Sequence, residues 1–91
     1  MSRGWPTPPA WWLRQAGCIE YAESHGDIHA SGSGSYGLFQ FEPATWRSVG
    51  GMGNPASASR AEQTYRAWMV YVRDGGSWRE WSTARGCGLI P

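Results

Sequence analysis

The chain lacks lysine and any cluster of charge of one sign. All eight basic residues are arginines, they are scattered among seven acidic residues, and the formal net charge is only +1. A nucleic-acid-binding surface normally shows as a basic patch or stripe, which is missing from this sequence. The composition therefore excludes nucleic acid as the expected partner.

Long apolar runs are also lacking. No stretch approaches the 18 or more consecutive apolar residues typical of a membrane span. Residues 1–17 lack the basic start, apolar centre and small-residue exit of a signal peptide. We expect no membrane span, and any export would depend on a signal that these residues do not provide.

Cysteine is scarce, and its two copies, Cys18 and Cys87, stand far apart without a CxxC motif or a partner histidine cluster. A metal site is therefore not expected, and no organic cofactor is implied. We favour a disulfide, which on the chain-entropy model would stabilise a small domain by about 4 kcal/mol. The alternative is two buried, unpaired thiols in a reducing compartment.

Leucine and isoleucine are few, whereas seven Trp, four Tyr and two Phe offer large apolar surfaces. A chain of 91 residues can form one domain, so these rings are expected to fill its core. Repeats are absent and strand patterns are weak. The fold class expected from these patterns is mainly α.

The N-terminal part predicts a tether followed by a helix. Residues 1–7 contain Gly and Pro and are typical of a tether, so the folded domain is placed at 8–91. Thr7 before two prolines suggests a helix N-cap, with the helix over 8–25 and a stop at Gly26. Its apolar stripe would consist of Trp12, Ala16, Ile19 and Ala22.

Gly and Ser dominate residues 30–37, which would pass for a flexible linker. The segment runs directly into Leu38, Phe39 and Phe41, so a constrained turn or short hairpin is the better interpretation. A short helix is then predicted over 42–49.

A second long helix is predicted from its capping box, in which Ser59 is followed three residues later by Glu62. The helix would end at Asp74, and Trp78 and Trp81 would share a short final helix. The predicted buried face consists of Tyr65, Trp68, Met69 and Val72.

Three acidic residues, Glu20, Glu23 and Asp27, follow helical spacing on one side of the first predicted helix. Spacing alone favours a solvated acidic face. Glu23, however, falls in the last helical turn, where the macrodipole disfavours a carboxylate ion and the protonated acid is expected to be favoured. Cleavage of a glycosidic bond requires such a proton donor.

Three motifs carry a resemblance to a known family: Cys-Ile-Glu-Tyr-Ala-Glu-Ser-His-Gly at 18–26, Gly-Ser-Tyr-Gly-Leu-Phe-Gln-Phe at 34–41 and Pro-Ala-Thr-Trp at 43–46. Over residues 8–88 the chain resembles the transglycosylase-like domains of the resuscitation-promoting factors. It is also similar to the wider group of soluble lytic transglycosylases and goose-type lysozymes, in its actinobacterial or phage-borne forms. These families place the catalytic Glu in a Glu-Ser pair at a helix end, with a Gly-Leu-x-Gln turn downstream. The resemblance implies a small, mainly α, lysozyme-like (α+β type) single domain.

The resemblance implies roles for individual residues. Glu23 would be the catalytic acid, and Gln40, 17 residues downstream, would hydrogen-bond an acetamido or hydroxyl group of the sugar. Tyr36, Thr45 and Trp46 would line the cleft. Alternatively, Tyr36 and Trp46 are core aromatics and Thr45 stabilises the short helix.

In one place the sequence departs from the pattern. Resuscitation-promoting factors usually carry Cys directly before the catalytic Glu, whereas Cys18 lies five residues before Glu23. This departure leaves Glu20 as an alternative acid, although Ser24 and the distance to Gln40 favour Glu23.

The function implied is cleavage of the β-1,4 bond between N-acetylmuramic acid and N-acetylglucosamine in peptidoglycan, with one Glu acting as acid and then base. A hydrolytic muramidase is the first alternative and needs a second carboxylate, for which Asp27 and Glu42 are the candidates. A non-catalytic glycan-binding module of an envelope or phage-tail protein is the second. The expected partner is the glycan strand of peptidoglycan. We expect a monomer, either alone or as a module of a larger protein. It would be secreted, located in the cell envelope or part of a phage lysis protein.

Overall fold

The computed structural model describes residues 4–91. Three α-helices, α1 (Ala10–Ser24), α2 (Pro43–Ser48) and α3 (Arg60–Arg73), occur in this part of the chain. Two short 3-10 helices, Pro55–Ser57 and Ser82–Arg85, complete its helical elements. The prediction of a mainly helical, lysozyme-like domain is confirmed.

Helix α1 lies inside its predicted bounds and buries Trp12, Ala16 and Ile19, as predicted. Two details of the prediction were wrong. Ala22 is exposed, and the helix is preceded by Pro9 without a side-chain cap, so Thr7 is not the N-cap. Pro9 itself holds the N-cap position, with φ of −59°, and its fixed φ orients the chain for the first turn.

The core is aromatic, as predicted. Trp12 of α1 stacks on Trp78 with ring centroids 4.9 Å apart, and Phe39 packs on Trp81 at 6.0 Å. These rings belong to segments that are far apart in the sequence, so their contacts close the fold. The fully or almost fully buried aromatic residues are Trp12, Phe39, Phe41, Trp46, Trp78 and Trp81.

Helix α3 begins as predicted, with the Ser59 hydroxyl accepting a hydrogen bond from the Glu62 amide at 3.0 Å. The predicted buried face was wrong in part: α3 fully buries Gln63, Ala67 and Val70, whereas Val72 is 52% exposed. Trp68 and Met69 of the predicted face do pack against the core, and the Trp68 ring lies 5.4 Å from that of Trp12. The residues of the predicted face that are only partly buried are Tyr65, Trp68 and Met69.

The segment after α3 is less helical than predicted. Trp78 and Trp81 precede the 3-10 helix Ser82–Arg85 instead of sharing a helix, which corrects the prediction. Each indole N–H is held elsewhere: Trp78 donates to Gln15 Oε1 at 2.8 Å, and Trp81 donates to the Phe39 carbonyl at 2.9 Å. These two anchors set the path of the chain before the 3-10 helix.

Cys18 and Cys87 form a disulfide with their Cα atoms 6.0 Å apart, which confirms the favoured pairing. The bond ties the C-terminal segment to α1. Residues 30–41 form a tight turn with two isolated antiparallel bridges. One joins Ser31 to Tyr36 and the other joins Tyr36 to Phe41. This is the constrained turn that the sequence predicted.

Residues 1–3 of the predicted tether lie outside the described residues. Within the remainder of the tether, the Trp5 ring packs at 5.8 Å from Tyr65 and beneath the Arg66 guanidinium at 5.0 Å. Among residues 4–91, no helix has the length and apolar character needed to cross a membrane.

Candidate active site

The C-terminal end of α1 places Glu23 beside a cleft. The helix stops because His25 and Gly26 adopt left-handed backbone conformations, with φ of 54° and 81°. Their amides bond back to the Tyr21 and Glu20 carbonyls, at 3.0 and 3.3 Å. This ending exposes the last helical turn, and Glu23 with it, to the turn formed by residues 30–41.

Ser24 connects the end of α1 to that turn. Its hydroxyl donates to the Leu38 carbonyl at 2.7 Å and also lies 3.1 Å from the Glu20 carbonyl. The Glu-Ser pair therefore combines a carboxyl group with a neighbour that fixes the facing loop.

A cleft of about 200 Å³ opens between the end of α1, the turn, α2 and the C-terminal segment. Its lining is predominantly polar, which suits a hydroxyl-rich ligand. The residues lining the cleft are Glu23, Ser35, Gln40, Phe41, Glu42, Thr45, Glu80, Trp81 and Ser82.

Four residues singled out from the sequence meet in this cleft, namely Glu23, Gln40, Glu42 and Thr45. Gln40 has a left-handed backbone with φ of 50°. Its amide nitrogen donates to the Gly37 carbonyl at 2.9 Å and lies 3.4 Å from the Ala30 carbonyl. Because this nitrogen is bound within the turn, the side-chain oxygen is the atom of Gln40 best able to contact a ligand.

Trp46 does not line the cleft, contrary to the prediction. It is fully buried, and its indole N–H donates to the Met52 carbonyl at 3.2 Å. Its ring packs against Phe41 with centroids 5.0 Å apart. The alternative, that Trp46 is a core aromatic, is the correct one.

Tyr36 and Asp27 are likewise absent from the cleft lining among residues 4–91. Tyr36 takes part in both bridges of the turn. Its amide donates to the Phe41 carbonyl and its carbonyl accepts from the Phe41 amide, each at 2.9 Å. Asp27 accepts the His29 amide at 2.8 Å, an interaction that shapes the loop after α1. The structure thus gives both residues a place in loop geometry, away from the cleft.

Glu20, the alternative acid, also lies outside the cleft lining and faces Arg60 of α3 at 3.7 Å. Burial raises the pKa of the Glu20 carboxyl, and the Arg60 charge partly opposes this effect. The raised pKa therefore belongs to a carboxyl group that forms an ion pair with α3 and does not line the cleft.

Sequence reasoning missed Glu80, an acidic residue of the cleft. Its carboxylate lies 3.9 Å from Arg73, and Asp74 nearby is almost completely buried. Burial raises the pKa of Glu80, the neighbouring Asp74 carboxylate raises it further, and Arg73 and Arg79 act in the opposite direction.

Sequence reasoning also missed the contact between Thr83 and Glu23. The Thr83 hydroxyl donates to Glu23 Oε2 at 2.7 Å across 60 residues of sequence. The predicted disulfide was the one signal that could have placed residues 80–83 near Glu23, because it joins the end of the chain to α1.

No group of three or more His, Cys, Asp or Glu residues suited to a metal ion occurs in the part of the chain that the structure describes. The cleft lining offers carboxyl, hydroxyl and amide groups. A small disulfide-linked helical domain with a carboxyl group at a helix end beside a polar cleft belongs to the lysozyme-like class.

Comparison with known proteins narrows this class. Residues 10–84 match the model of the transglycosylase-like domain family, and the chain belongs to this family. It is 43% identical over 70 residues to resuscitation-promoting factor RpfC of Mycobacterium tuberculosis, covering 75% of this chain and 50% of that protein.

Two further relatives show the same relationship. Resuscitation-promoting factor Rpf of Micrococcus luteus is 44% identical over 70 residues, which is 74% of this chain and 29% of that protein. Resuscitation-promoting factor RpfD of Mycobacterium tuberculosis is 40% identical over 67 residues, with coverages of 71% and 44%. The chain thus spans half or less of the length of these relatives, and the family predicted from its motifs is confirmed.

Proposed function

We propose that this domain cleaves peptidoglycan at the β-1,4 bond between N-acetylmuramic acid and N-acetylglucosamine, as a lytic transglycosylase with Glu23 as its acid and base. The observation that carries the proposal is that Glu23 lies half-buried at the end of α1, in a polar cleft that it shares with Gln40 and Thr45. Membership of the transglycosylase-like domain family supports the same reaction.

The first step is proton transfer. Protonated Glu23 gives its proton to the glycosidic oxygen, the bond between this oxygen and C1 of N-acetylmuramic acid breaks, and the neighbouring sugar leaves with a new hydroxyl group. The place of Glu23 in the cleft lining supports this role, because a general acid must lie within reach of the bond that it protonates.

In the second step the Glu23 carboxylate removes the proton from the C6 hydroxyl of the same N-acetylmuramic acid, and the C6 oxygen bonds to C1. The product is a 1,6-anhydro sugar, no water is consumed, and Glu23 is protonated again. One carboxyl group therefore completes the cycle.

Gln40 and Thr45 are proposed to contact the sugars, with the Gln40 side-chain oxygen accepting a hydrogen bond from an N–H or hydroxyl group of the glycan. The location of both residues in the cleft lining supports these roles. Tyr36 and Trp46 do not line the cleft, and no contact with the sugars is assigned to them.

Hydrolysis by a muramidase mechanism is the second candidate. It needs another carboxylate near Glu23, and both Glu42 and Glu80 line the same cleft. We propose transglycosylation by Glu23 alone as the main reaction. Hydrolysis would give a different product, which mass spectrometry distinguishes from the anhydro sugar.

We also propose that the domain acts outside the cell interior. The Cys18–Cys87 disulfide supports an oxidising setting outside the reducing interior of a cell, as expected for an enzyme of the cell wall.

The test is mass spectrometry of fragments released from purified peptidoglycan. We expect wild-type protein to release anhydro muropeptides, one water lighter than hydrolytic products, and Glu23→Gln to lower the rate at least about 100-fold. Glu20→Gln is the matched control, because Glu20 lies on the same helix and outside the cleft lining.

Circular dichroism checks that each variant is folded. Undiminished release by folded Glu23→Gln would contradict the assignment of the acid, and loss only in Glu20→Gln would transfer the role by one helical turn. Binding of glycan strands without any release by wild-type protein would instead identify a non-catalytic module.

A further inference from the structure

Thr83 contacts the proposed acid from outside the cleft. It lies in the 3-10 helix Ser82–Arg85 and donates to Glu23 Oε2 at 2.7 Å, whereas its neighbours Trp81 and Ser82 line the cleft. Thr83 itself is not among the residues 4–91 that line it. Its hydroxyl contacts the Glu23 carboxyl group directly.

The chemical consequence concerns the two oxygens of Glu23. A protonated carboxyl group has one hydroxyl oxygen and one carbonyl oxygen, and the carbonyl oxygen is the better acceptor. A hydroxyl that donates to Oε2 therefore favours the proton on Oε1. After proton transfer the same donor stabilises the carboxylate, so the contact persists through both steps.

Contacts on both sides of Thr83 hold it in place. Before it, the Trp81 indole N–H donates to the Phe39 carbonyl at 2.9 Å. After it, the fully buried Ala84 and the disulfide from Cys87 to Cys18 join the segment to the core and to α1. Because Cys18 and Glu23 belong to the same helix, the covalent link fixes the two partners of the hydrogen bond relative to each other.

We infer that Thr83 is a positioning residue for Glu23: its hydroxyl binds Oε2, fixes the orientation of the carboxyl group and makes Oε1 the oxygen that exchanges the proton with the glycan. This inference rests on the proposed role of Glu23 as acid. It assigns a function to a residue in the C-terminal segment, outside the motifs that predict the site.

The experiment compares Thr83→Val, which keeps the shape and removes the hydroxyl, with Thr83→Ser, which keeps the hydroxyl. Rates are measured across pH on soluble peptidoglycan oligomers. Thr64→Val is the matched control, since it makes the same replacement in α3 at a residue outside the cleft lining.

We expect Thr83→Val to lower kcat about tenfold or more at its optimum pH with little change in KM. The alkaline limb of its pH–rate profile should move to higher pH, because the ionised carboxylate has lost a donor. Thr83→Ser and Thr64→Val should stay within about threefold of wild type. If thermal unfolding shows that Thr83→Val does not fold, Thr83→Ala replaces it with the same expectations.

A second readout is independent of activity. Carbon-13 NMR of the Glu23 side-chain carboxyl should show a titration at higher pH in Thr83→Val than in wild type. An unchanged titration and an unchanged pH–rate profile in folded Thr83→Val, with Glu23→Gln inactive, would overturn the positioning role alone. Equal activity of Glu23→Gln and wild type would instead overturn the proposed function, and the NMR titration would still report on the hydrogen bond.

Discussion

The Gln63 side chain accepts the Leu38 amide at 2.7 Å, although the two residues are 25 positions apart. Gln63 is fully buried in α3, and its amide nitrogen donates to the Ala58 and Ile28 carbonyls at 2.9 and 3.1 Å. Leu38 is bound from its other side by Ser24, which follows Glu23. A single buried amide thus joins α3 to the turn that faces the proposed acid.

The close approach of Gln63 also explains a glycine in the family motif. Gly37 has φ of 84°, and a Cβ atom there would overlap Gln63 Oε1. Both the backbone conformation and the available space exclude a larger residue at this position. The Gly-Leu pair is therefore fixed by contact with α3.

Replacing Gln63 tests this connection. Gln63→Leu would deprive the buried Leu38 amide and the partly buried Ala58 and Ile28 carbonyls of a hydrogen-bond partner. At about 1–3 kcal/mol for each group, we expect a loss of about 3 kcal/mol or more in the free energy of unfolding. Chemical denaturation monitored by tryptophan fluorescence measures it. Gln15→Leu is the control, because it removes one hydrogen bond, to Trp78, and should cost less. Equal losses in the two variants would contradict the central role of Gln63.

The disulfide is expected to supply a large part of the stability. The combined variant Cys18→Ala and Cys87→Ala should lose about 4 kcal/mol in the free energy of unfolding, because the unfolded chain regains the freedom of a long loop. Urea titration of the variant, compared with oxidised wild-type protein, measures this loss, and wild-type protein in reductant should unfold close to the variant. Matching unfolding midpoints for the variant and the oxidised wild type would show that the bond contributes nothing.

Glu20 should make stability depend on pH. Burial raises the pKa of its carboxyl above the usual value of 4.5, so the folded protein binds the proton more tightly than the unfolded chain. The resulting stability is present below about pH 4.5 and is lost as pH rises through the raised pKa. Glu20→Gln removes this dependence, and its stability relative to wild type should therefore increase with pH over that window.

Thermal unfolding at a series of pH values checks the prediction for Glu20. Arg60→Gln is an informative partner variant, since loss of the opposing charge should extend the window to higher pH. A constant difference between Glu20→Gln and wild type at every pH would refute the prediction.

The two other carboxyl groups in the cleft distinguish the reaction routes. If Glu23 works alone, Glu42→Gln and Glu80→Gln should each retain anhydro products, with rates reduced less than about tenfold, well below the effect of losing a general acid. Mass spectrometry of the released muropeptides measures the product ratio. Asp27→Asn, outside the cleft lining, is the control. A hydrated product that disappears in one of the two Gln variants would identify that residue as the second carboxylate of a muramidase.

Much of the local structure could be predicted because local rules govern it. Helical spacing predicted the buried Trp12, Ala16 and Ile19 stripe, and the capping box predicted the start of α3 at Ser59. The face of α3 could not be predicted in this way. Which side of a helix is most deeply buried depends on residues elsewhere in the chain, and here Ala67 and Val70 are fully buried whereas Val72 is exposed.

The candidate site shows the same difference between features set by neighbouring residues and features set by tertiary packing. The sequence by itself determined the family and favoured the disulfide. It also offered Glu23, Gln40, Glu42 and Thr45 among its candidate site residues, because helix endings and turn motifs depend on neighbouring residues, and these four share one cleft. Only the tertiary structure decided that Trp46 is buried and that Glu80 and Thr83 lie beside these residues. Those contacts join residues up to 60 positions apart, and they arise from packing and covalent closure of the whole chain, which spacing along the sequence does not encode.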